Sequence, residues 1–139
     1  MIYFLDATIC LDLLDTTRST SPASVTWYLA HKDDKKSTFY YSADFITTFY
    51  YILLEKKKVP ADDIIEAIDA LSMEILPSYL LYSDFILAKN AFFDSLFDDF
   101  EDLINLENAC RIGSDCFITN DKDLLTLGEY KKIKIVSHD

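Results

Sequence analysis

Asp6 ends a short apolar run, Ile2-Tyr3-Phe4-Leu5-Asp6, and an apolar strand that delivers a carboxylate at its last residue is a common way to build a metal site. Two later segments repeat the theme. The stretch 94–102 holds Asp94, Asp98, Asp99, Glu101 and Asp102, and Cys116-Phe117-Ile118-Thr119-Asn120-Asp121 is a second apolar strand that runs out into an acid. If the fold brings Asp6, Asp102 and Asp121 together, they form an oxygen-rich pocket suited to Mg²⁺ or Mn²⁺, hard cations that take carboxylate oxygens.

The rest of the chain limits what such a pocket could belong to. At 139 residues it reads as one domain, 1–139, long enough to bury roughly two thirds of its unfolded surface. Half the residues are hydrophobic and 14% are aromatic, so a packed core is within reach and disorder is not expected. The formal net charge of -11, from 24 acids against 13 Lys plus Arg, argues against a broad basic face that grips nucleic acid by counterion release. A nucleic-acid enzyme of this charge needs a divalent metal, a local basic patch or a basic partner. Three cysteines without a CxxC pair, no positively charged leader and no window of ~18 apolar residues lead to the expectation of a soluble cytoplasmic protein with no membrane segment. With only two glycines the chain has no phosphate-cradling loop, and His31 and His138 stand too far apart to suggest zinc. Dehydrogenase, kinase and serine-hydrolase readings are thereby demoted.

The elements that must position the acids follow from hydrophobic periodicity. Apolar runs at 2–5, 38–41, 73–76, 115–119 and 133–136 read as strands. Between them lie helical patterns: a short one over 9–14, one opened by Ser21 as N-cap with Pro22 behind it, one over about 43–57 broken by Pro60, and one that starts at Asp62 and Asp63. Ser78 can cap a further helix with Leu80, Leu81, Phe85 and Leu87 on its buried side. A helical turn around 92–97 then leads to a helix over about 100–112, stopped by Gly113. Strands of nearly continuous apolar character separated by helices predict an α/β fold, three layers around a central parallel sheet of about five strands.

Open parallel sheets place their ligand sites outside the carboxyl ends of the strands, where Asp6 and Asp121 fall. Asp102 lies in the first turn of the helix that feeds the fourth strand. Each acid also has a purely structural reading. Asp99 can be an N-cap and Asp102 its capping-box partner, and Asp94 and Asp98 can be a solvated acidic face.

At this point the residues resemble a known family. Phe4-Leu5-Asp6-Ala7-Thr8-Ile9-Cys10-Leu11-Asp12-Leu13-Leu14 is similar to the PIN-domain opening, and Tyr41-Ser42-Ala43-Asp44 resembles the lead into that family's third helix. Phe100-Glu101-Asp102-Leu103 with Ala109 resembles its late helix start, and Ile118-Thr119-Asn120-Asp121-Lys122-Asp123-Leu124 its ending. The motifs are collinear over essentially the whole chain. The resemblance implies a PIN-like three-layer fold and a small stand-alone ribonuclease of the VapC-like toxin type, Mg²⁺-dependent and inhibited by an antitoxin protein. Carried over by position, Asp6, Asp102 and Asp121 are the catalytic metal carboxylates. The family's third-helix Glu falls at Thr48, which removes one negative charge, and the Asn two residues after the first Asp is replaced by Thr8.

Asp44, one helical turn before Thr48 and roughly 6 Å along the axis, is placed to act through a water, whereas Glu55 is about 10 Å toward the wrong end. Glu101 is a further candidate. The chemistry implied is metal-assisted hydrolysis of an RNA phosphodiester, with Asp6 and Asp102 as principal ligands, Asp121 orienting water or holding a second ion, and Thr8 and Thr119 hydrogen-bonding phosphate or neighbouring carboxylates. Lys56, Lys57 and Lys58 could guide backbone phosphates or simply complement a helix C-terminus. Aromatic surface favours a homo-oligomer, expected as a dimer, or an antitoxin helix laid in a groove. Two other readings compete: a PIN-like RNA-binding or protein-interaction module without turnover, motivated by Thr48 and Thr8, and a phosphatase with Asp6 as nucleophile, which wants a second Asp where Thr8 stands.

Overall fold

Alternate residues of a strand point to opposite faces of its sheet, so a strand that is apolar throughout has to be covered on both sides. The computed structural model describes residues 1–138. Its elements in chain order are β1 (Ile2–Leu5), α1 (Ala7–Leu14), α2 (Ser21–His31), β2 (Thr38–Ser42), α3 (Phe45–Tyr51) with a π-helical continuation (Ile52–Lys56), α4 (Ala61–Glu74), β3 (Leu76–Ser78), α5 (Tyr82–Phe93), α6 (Phe100–Arg111), β4 (Cys116–Ile118), α7 (Lys122–Leu127), β5 (Glu129–Tyr130) and β6 (Ile133–Val136). The sheet order is β3-β2-β1-β4-β6-β5. Its first five members are parallel and the two-residue β5 is antiparallel to β6. The chain thus adds strands on one side of β1 and then crosses to the other, which makes the β1/β4 crevice a topological switch point.

Phe4 pairs in register with Tyr40 and Phe117 and stacks on Phe117 with ring centroids 5.5 Å apart. These rings join Leu103, Leu106, Ile133 and Ile135 in one core. Their strand neighbours Leu5, Phe39, Tyr41 and Ile118 face the other way, onto Ile9, Phe45, Phe49 and Ile64. Two cores on two faces are the three-layer α/β/α arrangement, and each buried Phe adds about 1.5–3 kcal/mol to it. No helix among the described residues is long and apolar enough to cross a membrane.

Several local expectations are corrected. Met73 and Glu74 belong to the end of α4, and β3 begins only at Leu76. Pro77 lies inside that strand, opposite Tyr41, and is tolerated because β3 is an edge strand. Ser78 is a strand residue that donates to Asn108 Oδ1 at 2.7 Å rather than a helix cap. Helix α5 buries Asp84, Ala88 and Ala91 and leaves Leu81, Phe85 and Leu87 exposed. The N-cap position of α2 is Thr20, with Ser21 already helical. After Phe93 the chain turns through Ser95 at φ 59, so Asp94 and Asp98 do not continue a helix face toward Asp102. The two-residue β5 and the six-residue α7 are too short to leave a periodic trace in the sequence, whereas β6 coincides with the run read at 133–136.

Candidate functional site

Asp6 follows the last residue of β1, and its N–H donates to Ile118 O at 2.9 Å, so sheet pairing carries it to the switch point. Its side chain caps α1, accepting from Ala7 N at 2.8 Å through Oδ1 and from Thr119 Oγ1 at 2.7 Å through Oδ2. The residue is only 8% exposed. Burial pushes its carboxyl above the usual range, and the charges of Asp121 and Glu101 push further, against the two hydrogen bonds. Thr119 is fully buried; its hydroxyl also accepts from Asp121 N at 3.0 Å, which ties the two acids to one pivot. Asp121 caps α7 with Oδ1, at 2.9 Å from Asp123 N and 3.1 Å from Leu124 N.

Asp102 sits half-buried in the first turn of α6. Asp99 is the N-cap there, accepting from Asp102 N at 3.0 Å, so the capping reading holds for Asp99. Among the described residues the Asp102 carboxylate itself returns no hydrogen bond to the cap and makes no ion pair. Burial, followed by the charges of Asp6, Asp99, Asp121 and Glu101, pushes its carboxyl up to about 7. Mutual repulsion of this kind needs the acids to share one neighbourhood. None of the ion pairs among the described residues reaches Asp6, Glu101, Asp102 or Asp121. The rim therefore carries uncompensated negative charge.

The other candidates fall in three groups. Asp44, Thr48 and Glu101 line one cavity of about 250 Å³ beside the rim. Thr8 donates to Asn120 Oδ1 at 3.0 Å instead of to a carboxylate. Lys56, Lys57 and Lys58 lie at the far end of α3, about 17 Å from its rim end by helical rise, and Lys57 pairs with Asp15 at 3.7 Å. Among the remaining lysines, Lys131 is held by Glu107 and Lys134 by Glu129. Lys35 and Lys36 precede β2, at the end of the sheet opposite the acids.

Asn105 is the residue that sequence reasoning missed. It lines the same cavity, is 4% exposed, and its side-chain amide makes no hydrogen bond to the described residues. A signal was present: it follows Glu101 by four residues and Asp102 by three, which places it on their helix face.

No three His, Cys, Asp or Glu side chains among the described residues are drawn up tightly enough to enclose an ion unaided. Mg²⁺ asks for less, one or two carboxylates with waters and substrate phosphate completing the octahedron. Asp6 and Asp102 are hard oxygen donors whose charges repel each other, and a cation would relieve that repulsion. The residues fit such an ion. A separate cavity of about 630 Å³, against Phe92, Phe97, Asp98 and Asp123, is lined by none of the three aspartates.

No family model matches the chain. No curated protein sequence matches it either. Solved structures do. VapBC2 from Rickettsia felis, bound to a DNA fragment from its promoter, superposes with a TM-score of 0.66 at 13% identity, over 99% of this chain and 98% of that one. VapC20 from Mycobacterium tuberculosis, a sarcin-ricin loop cleaving toxin, superposes with a TM-score of 0.70 at 13% identity, over 95% of this chain and 98% of that one. The chain therefore has the α/β fold of the VapC toxins over nearly its whole length, the PIN-like architecture that its collinear motifs led one to expect.

Proposed function

We propose that this protein is a divalent-metal-dependent endoribonuclease and the toxin of a toxin-antitoxin pair. The observation that carries the reading is the acid rim at the β1/β4 switch point, where the charges of Asp6, Asp102, Asp121 and Glu101 act on one another and no lysine or arginine among the described residues pairs with them. The shared fold supports it, since VapC20 is a sarcin-ricin loop cleaving toxin. Asp6 and Asp102 would hold Mg²⁺ or Mn²⁺. A bound divalent ion supplies Lewis-acid stabilisation of the charge that develops on a phosphodiester. Thr119 and the Ala7 amide fix the Asp6 carboxylate in one orientation. Asp121, with Oδ1 committed to α7, keeps Oδ2 to orient a water for attack.

An antitoxin or a second copy of this chain is the proposed protein partner. The exposed aromatics Tyr79, Tyr82 and Phe93, each more than 70% accessible, are the kind of surface such a partner covers.

Incubation of the purified protein with total RNA, with Mn²⁺ or with chelator, tests the reading. Metal-dependent cleavage with discrete ends is the expected outcome, and intact RNA under both conditions would reject it. The reading without turnover is separated by heat: a working site saturated at a hundred times its Kd gains about 2.7 kcal/mol by mass action. A thermal unfolding curve that ignores Mn²⁺ would favour the module that only binds.

A further inference from the structure

The cavity next to the acid rim has an unusual lining for a solvent-filled crevice. Phe45 and Leu80 supply apolar wall, Asp44 and Glu101 supply carboxylate acceptors, Thr48 a hydroxyl, and Asn105 an amide. Asn105 is the informative member. It is 96% removed from solvent and its side-chain amide is bonded to nothing among the described residues, yet the amide is not one of the fully enclosed polar groups, so what hydration it keeps comes through the cavity it lines. Its remaining surface faces the cavity. At about 250 Å³ the space falls just under the range of drug-sized pockets and suits one ring system.

We infer that this cavity is a guanine-binding subsite, with Asn105, Asp44 and Glu101 reading the edge of a single unstacked base next to the scissile phosphate. The inference rests on the ribonuclease reading for its substrate, and on the cavity alone for its chemistry. Carboxylates only accept hydrogen bonds. Guanine offers them two adjacent donors, N1–H and the N2 amino group, while its O6 can accept from the Asn105 amide. Uracil, cytosine and adenine each bring a ring or carbonyl acceptor against the carboxylates, a like-to-like contact. The apolar wall is what an extruded base of single-stranded RNA packs on. The unpartnered amide thereby acquires a ligand, and the acids on the α3 side acquire a use that does not depend on the third-helix position held by Thr48.

Two measurements separate this inference from the nuclease reading. In chelator, guanosine, inosine and adenosine, none of which carries a phosphate for the rim, are titrated into labelled protein while the Asn105 side-chain amide resonances are followed by NMR. Guanosine is expected to shift them, inosine, lacking the N2 amino group, to do so roughly tenfold more weakly, and adenosine not at all. Asp44→Asn should abolish the response. Equal responses to guanosine and adenosine, or none to either, would overturn the subsite even if the enzyme cuts RNA. In the second measurement, sequenced cleavage ends should show guanine enriched roughly tenfold at one fixed position by wild type, with the enrichment lost in Asn105→Ala. Asn105→Ala should fold at least as stably as wild type, because the amide it removes has no partner to lose. Ends without a guanine preference would sink the subsite and leave the nuclease standing, whereas a protein that binds guanosine but leaves RNA intact would do the reverse.

Discussion

Asp6→Asn and Asp102→Asn are each expected to lower RNA cleavage by about 10²–10³-fold, the usual scale for removing one preorganised charge or dipole from a reacting centre. Both exchanges preserve side-chain shape. Asp102→Asn has no hydrogen bond among the described residues to forfeit at its carboxylate, and Asp6→Asn can keep both contacts, its amide oxygen accepting from Ala7 N and its amide N–H donating to the Thr119 hydroxyl in place of the bond it accepted, at a cost of about 1 kcal/mol or less. The activity loss is therefore not an unfolding effect.

Asp102→Asn should in fact stabilise the metal-free protein at pH 8. Its carboxyl is pushed up to about 7 by burial and then by the surrounding acids, so the folded state holds the proton more tightly than the unfolded one. The group then costs stability progressively as pH climbs from the ordinary carboxylate range through about 7, and costs nothing at pH 4. Discounted for solvent screening, the gain is on the order of 3 °C in Tm at pH 8, and it should vanish at pH 4. Thermal unfolding in chelator, alongside cleavage rates on labelled RNA, reads both effects. An Asp102→Asn enzyme as fast as wild type would remove Asp102 from the centre.

The second large effect is on folding and comes from Asp12, which the chemistry does not use. Its side chain is fully buried and accepts from Arg18 Nε at 2.7 Å, Thr20 Oγ1 at 2.6 Å and Ser24 Oγ at 2.5 Å. Burial alone would raise its proton affinity, but the bonds from Ser24, Thr20 and Arg18 together outweigh it and hold the carboxyl below the usual range. Asp12→Ala strands two hydroxyls and a partly exposed guanidinium that anchor the α1–α2 connection, and losing these charge-assisted bonds costs about 2–3 kcal/mol. Urea denaturation should show that loss. By contrast, the Lys134–Glu129 pair is more than half exposed on both partners, and its removal should cost no more than about 1 kcal/mol. Because the folded-state affinity of Asp12 for a proton is depressed, its contribution is complete above the ordinary carboxylate range and is lost as pH falls through and below it. The wild-type protein should lose stability on acidification more steeply than Asp12→Ala. A variant that unfolds at the same urea concentration as wild type would contradict this role.

What the sequence made legible, and what it hid, divides along physical lines. The three layers were readable because Phe4-Leu5 and Phe117-Ile118 are apolar on both sides of the strand, which only a doubly covered sheet accommodates. The rim was readable because Asp6 and Asp121 sit at the exits of two such strands, and the register that pairs Leu5 with Ile118 brings those exits together. The end of α4 was misread because Met73 and Ile75 alternate like a strand while helical hydrogen bonding continues to Ile75 N. The buried side of α5 was misread because it is made by Ala88, Ala91 and Asp84, the last held at 3.1 Å by Arg111, and not by its larger apolar residues. Asn105 and the Thr8–Asn120 bond stayed hidden for a further reason. A polar side chain reveals whether it has a partner only when elements distant in sequence are in place.

Direct binding of Mn²⁺ tests the central claim most closely, because it precedes any question of substrate. Titration calorimetry on the protein at pH 8 should show saturable binding that is weakened at least tenfold in Asp6→Asn and in Asp102→Asn while both variants remain folded. Unaltered binding in the two variants, or none in the wild type with or without an RNA oligonucleotide present, would contradict a cation site at the meeting point of β1, β4 and α6.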